Sequence, residues 1–66
     1  MRILLNGEPH ELPANATLGD LLATLDLHNT RFAAEVNAEL VPRSQHAMHG
    51  LHADDRVENV QAIGGG

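Results

Sequence analysis

Cysteine is absent from the 66 residues, and so are lysine, tryptophan and tyrosine. Without cysteine there is no disulfide, no thiolate-ligated metal and no side chain able to carry a persulfide or form a thioester. Without lysine the chain offers no side-chain amine to an isopeptide bond, which leaves only the N-terminus. One phenylalanine is the whole aromatic content, and four arginines face nine aspartates and glutamates for a formal net charge of −5. That balance argues against a nucleic-acid surface, which needs clustered cations to neutralise phosphates. It favours a partner with a basic docking face. No apolar run reaches membrane-spanning length. Met1 leads straight into a strand-like segment, whereas a signal peptide needs a basic leader and a longer apolar stretch. The expectation is a cytoplasmic protein with no membrane partner. A chain this short makes one domain with little core, so its stability must come from regular elements packed well.

What is present is a clear succession of elements. Arg2-Ile3-Leu4-Leu5 is a short apolar run closed by Asn6-Gly7, the pair that favours a two-residue hairpin turn. Glu8 to Leu12 is the returning strand, and Pro9, which lacks an amide donor, places it at a sheet edge. After a loop over Pro13 to Ala16, Thr17 reads as a helix N-cap, with Asp20 completing a capping box. Leu18, Leu21, Leu22 and Leu25 then recur at i, i+3, i+4 and i+7, one apolar stripe on a helix over about residues 17–28. Phe32 to Val36 alternates as a strand with Phe32, Ala34 and Val36 on one face. Asn37-Ala38 turns the chain into Glu39-Leu40-Val41, which Pro42 closes. Arg43 to Met48 reads as one or two helical turns before Gly50. Asp54-Asp55 marks a turn, and Arg56 to Ile63 is the last strand.

The order β-β-α-β-β-β predicts an α+β fold, a mixed sheet of four to five strands packed on one main helix. The leucine stripe lies across one sheet face, and the first and last strands pair in parallel at the centre. The second face stays open. Leu4, opposite in parity to Ile3 and Leu5, points to that face.

The chain closes with Gly64-Gly65-Gly66, directly after Val60-Gln61-Ala62-Ile63. Glycine brings no side chain to do chemistry, but a terminal one carries an α-carboxylate, ionised near neutral pH because its reference pKa is roughly 3.5. A segment without Cβ atoms also passes through channels too narrow for any other residue. The pattern divides the chain into a domain over residues 1–63 and a flexible tail over residues 64–66 whose end is the substrate of another enzyme.

Several segments together resemble the ThiS family, the sulfur carrier proteins of thiamine biosynthesis. They are Asn6-Gly7 after the first strand, Thr17-Leu18-Gly19-Asp20-Leu21-Leu22 at the start of the helix, and Val36-Asn37-Ala38-Glu39-Leu40-Val41-Pro42-Arg43. Asp55-Arg56-Val57-Glu58 leading to the glycine ending completes the set, and the resemblance runs the full length. It implies a ubiquitin-like β-grasp fold and a protein cosubstrate that is not itself an enzyme. By that resemblance an E1-like adenylating enzyme activates the Gly66 carboxylate with ATP and Mg²⁺, which belong to that enzyme and are not cofactors of this chain. A cysteine-derived persulfide donor then supplies the sulfur of a thiocarboxylate, and thiazole synthase accepts it. Gly64 and Gly65 thread the tail into the partners' active sites, and Leu4, Glu58 and Ile63 are candidate docking residues. Two departures stand out: Asp54-Asp55 replaces the usual Gly-Asp turn, and Asn59 replaces a usual apolar residue.

Other constellations read as structural. His46, His49 and His52 are spaced by three but drift around a helix, and no cysteine or well-placed carboxylate completes a metal site. They read as solvated surface histidines. Asp54, Asp55 and Glu58 read as a polar turn and an outward strand face able to steer a basic partner. Arg43 and Arg56 read as surface charges, either of them able to contact a partner near the tail. Two functions share the tail chemistry: the small subunit of molybdopterin synthase, usually longer and with a proline-rich approach to the tail, and a ubiquitin-like modifier. A non-covalent β-grasp interaction module with an inert tail is the alternative from another class.

Overall fold

The computed structural model describes residues 1–25 and 32–61. The expected helix end at residues 26–28, Ile63 and the glycine tail therefore lie outside the described residues. β1 (Arg2–Leu5) and β2 (Glu8–Glu11) form the first hairpin, with Arg2 opposite Glu11 and Leu5 opposite Glu8. Its turn sets Asn6 at φ 51° and Gly7 at φ 86°, the two positive values a type I′ turn requires. β3 (Phe32–Val36) and β4 (Glu39–Val41) repeat the device, with Asn37 at φ 52° and Ala38 at φ 70°. Alanine is an uncommon occupant there, because its Cβ crowds the following carbonyl in the left-handed region.

β5 (Arg56–Gln61) joins the two hairpins. It runs parallel to β1, with Leu4 opposite Arg56 and Leu5 opposite Val57, and antiparallel to β3 along its whole length. The sheet order is β2-β1-β5-β3-β4, so the first and last strands are interior neighbours in a mixed five-stranded sheet. Pro9 sits on an edge strand, where its missing donor removes no ladder hydrogen bond.

One sheet face carries the core. Ile3, Ala34, Val36, Val41 and Val57 are buried against Leu18, Leu21 and Leu22 of α1 (Leu18–Ala23). Burying each leucine contributes about 1.5–3 kcal/mol relative to leaving it in water. The capping box forms as the sequence predicts: Asp20 N–H donates to Thr17 Oγ1 at 3.1 Å, and Thr17 N–H donates to Asp20 Oδ2 at 3.0 Å. The helix is shorter than expected and ends at Ala23. From Thr24 onward the bonding tightens to i→i−3, with Thr24 N–H to the Leu21 carbonyl at 3.0 Å and Leu25 N–H to the Leu22 carbonyl at 3.1 Å. The Thr24 hydroxyl reinforces this by donating to the same Leu21 carbonyl at 2.7 Å. Leu25 nonetheless packs on the core, so the stripe outlasts the α-helix.

A 3-10 helix (Arg43–Met48) follows β4 and lies beside α1. The helix start is tied to the chain beyond it, with Leu18 N–H donating to the His49 carbonyl at 2.8 Å and Leu51 N–H to the Ala16 carbonyl at 3.0 Å. No helix among the described residues is long and apolar enough to cross a membrane.

Candidate functional site

The strand that leads to the tail is held from both sides by asparagine. On the β1 side, Asn6 N–H donates to the Val57 carbonyl at 2.8 Å. Its carboxamide then meets Asn59 twice: Oδ1 accepts from Asn59 N–H at 3.1 Å, and Nδ2 donates to Asn59 Oδ1 at 2.7 Å. β1 has already turned away at this level, so a side chain takes over where strand pairing stops. On the β3 side, Asn37 N–H donates to the Arg56 carbonyl at 2.7 Å and Asn37 Oδ1 accepts from Arg56 N–H at 3.0 Å. Asn37 Nδ2 also reaches Asp55 Oδ1 at 3.0 Å. Both clips use the residue that carries a positive φ in its hairpin turn. Asn59 therefore has a built partner, which accounts for an amide at this position.

The second sheet face is uncovered among the described residues. Strand alternation puts Leu4, Glu35, Leu40, Glu58 and Val60 on it, and the register places Glu58 opposite Glu35 and Glu35 opposite Leu40. Leu4 is half-buried, beside Pro9 and Arg56. Leu40 and Val60 are 64% and 58% exposed, large fractions for apolar side chains on one surface. Two carboxylates directly opposite each other repel, at a cost of a few tenths of a kcal/mol or more. The face thus combines apolar contact area with a pair of facing glutamates, and parity sets Arg56 on it opposite Leu4. Leu4 and Glu58 were accessible to sequence parity; Glu35, Leu40 and Val60 carry the same parity signal, but only the strand order brings them together.

At the end of the sheet where β5 finishes, Phe32 lies opposite Gln61. The Arg43 guanidinium sits over the Phe32 ring, 5.6 Å from its centroid. The His46 imidazole stacks on the same ring at 6.3 Å and 25° between planes. His46 Nε2 lies 3.0 Å from the Val41 carbonyl oxygen, to which its N–H donates in that tautomer. The structure corrects one reading here, since His46 is half-buried and bonded, not solvated; Arg43 is an exposed surface charge as read, and the structure adds that it rests on the Phe32 ring.

Asp54 and Asp55 serve the turn before β5. Asp55 Oδ2 accepts from His52 N–H at 2.8 Å, and with Oδ1 held by Asn37 the whole carboxylate is engaged. Asp54 takes φ 72°, so the turn keeps the left-handed conformation that glycine usually supplies. A cavity of about 350 Å³ opens beside β4, with Glu39, Gln45, His49, His52 and Asp55 among its walls. Among the described residues no three side chains of metal-ligating type converge to hold an ion.

Comparison with known proteins bears on this arrangement. The ThiS family model matches residues 3–66. The chain belongs to the ThiS family. Over all 66 residues it is 35% identical to the sulfur carrier protein ThiS of Escherichia coli K12, covering 100% of both chains. It is 42% identical over 66 residues to a thiazole synthase of Magnetococcus marinus, of which it spans 20% of the length. Among solved structures, the thiamine biosynthesis protein ThiS of Geobacter metallireducens superposes with a TM-score of 0.84 at 25% identity, covering 100% of both chains. The mixed sheet with one short helix is accordingly the ubiquitin-like β-grasp of the ThiS family. Of the candidate residues, Leu4 and Glu58 stand on the open face of this ThiS-type sheet, while Ile63, Gly64, Gly65 and Gly66 lie outside the described residues.

Proposed function

We propose that the chain is a sulfur carrier for the thiazole of thiamine, loaded at the carboxylate of Gly66. The observation that carries this reading is the extent of the family match, residues 3–66, which takes in the glycine tail as well as the folded domain. A carboxylate is a poor electrophile, so an E1-like enzyme first activates it. The Gly66 carboxylate attacks the α-phosphorus of MgATP, pyrophosphate leaves, and an acyl-adenylate forms. The terminal sulfur of a cysteine-derived persulfide then attacks the acyl carbon and AMP departs. A thiol cleaves the resulting S–S bond, releasing a thiocarboxylate on Gly66 and leaving a disulfide on the donor side.

In this scheme the chain is a cosubstrate and contributes no catalytic group. Its folded part presents Leu4 and Glu58 to the partners, Ile63 is the third docking residue of the proposal, and Gly64 and Gly65 give the tail the slimness to enter their channels. Thiazole synthase is the acceptor; a relative of that name containing a segment similar to this whole chain supports a working pair. The proposed setting is the cytoplasm, where MgATP is available for the activation.

The test is thiazole formation in a reconstituted mixture of adenylating enzyme, sulfur donor and thiazole synthase. The full chain supports turnover, and a chain lacking Gly66 supports none while melting at the same temperature. Turnover with the shortened chain would exclude Gly66 as the sulfur-bearing residue.

A further inference from the structure

We propose that Arg43, set on the ring of Phe32 beside the end of β5, pairs with a carboxylate at the mouth of the adenylating enzyme's tail channel and fixes the orientation of docking. The inference rests on the carrier reading and adds to it a cation that no part of that reading uses.

Three observations carry it. The first is placement: Phe32 is the register partner of Gln61, the last residue of β5, so Arg43 stands at the end of the sheet from which the tail departs. The second is preorganisation. Arginine side chains are flexible, yet here the guanidinium is held 5.6 Å from the Phe32 centroid, and Phe32 is itself stacked with His46, which is anchored to the Val41 carbonyl at 3.0 Å. A planar guanidinium on an aromatic face keeps its edge donors available for a carboxylate. The third is charge. Arg43 is exposed, and among the described residues it forms no ion pair; the two that occur join Met1 to Glu11 and His52 to Asp55.

The acidic background makes such a cation informative. On a chain of net charge −5, with Arg56 beside Leu4 but Glu35 and Glu58 facing each other on the open face, the partner surface complementary to that glutamate pair is basic. A single acidic residue at the channel mouth then matches only the docking register that brings Arg43 to it. Rotated alternatives set Arg43 against a basic surface, and like charges in contact disfavour them. A nucleotide phosphate is the weaker choice of anion. Gly66 lies five residues beyond Gln61, and an extended chain covers at most about 3.6 Å per residue, roughly 18 Å in all. A tail extended into the channel would carry the reacting carboxylate and its nucleotide up to that distance from the sheet end.

The experiment follows loading of Gly66 by intact mass under initial-rate conditions, varying the concentration of the carrier against the adenylating enzyme with MgATP and sulfur donor. Wild type, Arg43→Lys, Arg43→Gln and Arg43→Glu are compared at low salt and at about 0.5 M salt, where the screening length is only a few ångströms. The expected result at low salt is a carrier KM raised about tenfold by Arg43→Gln and further by Arg43→Glu, with kcat changed less than about twofold. Arg43→Lys, which keeps the charge without the planar stack, lies between wild type and Arg43→Gln. High salt removes most of the difference. An unchanged KM for Arg43→Gln and Arg43→Glu overturns the inference while leaving the carrier reading in place, as does a loss that salt does not alter. A wild-type chain that an active enzyme never loads overturns the carrier reading and this inference with it.

Discussion

At Asn6 one residue serves two elements. Its positive φ of 51° closes the first hairpin, and its carboxamide holds Asn59 on the strand that leads to the tail. The two roles separate by substitution. Asn6→Gly keeps the backbone conformation and loses the carboxamide, with an expected loss of about 1–2 kcal/mol for two hydrogen bonds. Asn6→Ala loses the same bonds and adds a Cβ in the left-handed region, for roughly 1 kcal/mol more. Urea denaturation of both variants checks the order, and equal stabilities would refute the separation. The turn itself was legible, because Asn-Gly between apolar runs has few other readings. Its second role was not, since Asn59 is 53 positions away and no local pattern links the two. Arg43 and His46 were hidden for the same reason: Phe32, the ring on which both rest, belongs to a different element.

Between elements, the closest approach is that of α1 to the 3-10 helix. A Cβ on Gly19 would lie 3.1 Å from Ala47 Cα and 3.2 Å from the His46 carbonyl oxygen, both backbone atoms that must shift by a few tenths of an ångström to admit it. Gly19→Ala should therefore destabilise the fold by about 1 kcal/mol, even though alanine is the better helix former, because overpacking outweighs propensity. A raised melting temperature would show that the two helices can part freely. The second hairpin points the other way. Ala38 at φ 70° is strained, and Ala38→Gly should stabilise the protein by about 0.5–1 kcal/mol in the same assay, with a loss as the contrary result. The helix start was readable from Thr17 and Asp20, whose side chains act within one turn. Its end was not, because Leu25 keeps the apolar spacing although the hydrogen bonding has already shifted at Thr24.

For the whole molecule, small size sets the margin. At 66 residues a domain is stable by roughly 3–10 kcal/mol. Leu21→Ala, which empties a fully buried site under the sheet, should cost about 2–5 kcal/mol and leave much of the population unfolded near body temperature; a circular-dichroism melt close to that of wild type would contradict this. Element order and parity were enough to foresee the mixed sheet, the parallel pairing of β1 with β5 and an open face near Leu4. They did not reveal the face as a whole, since Glu35, Leu40, Glu58 and Val60 become neighbours only through the β5-β3-β4 order. The fold thus presents its C-terminal strand from the middle of the sheet, beside an uncovered acidic and apolar face, and the central claim is that the chain's end is what partners act on. The most direct measurement is intact mass spectrometry of the chain after incubation with adenylating enzyme, MgATP and a sulfur donor. The account predicts a gain equal to exchange of one oxygen for sulfur, localised to Gly66 and absent from Gly65→Val, which retains the wild-type melt. An unchanged mass, with the same enzyme active on another carrier, would contradict it.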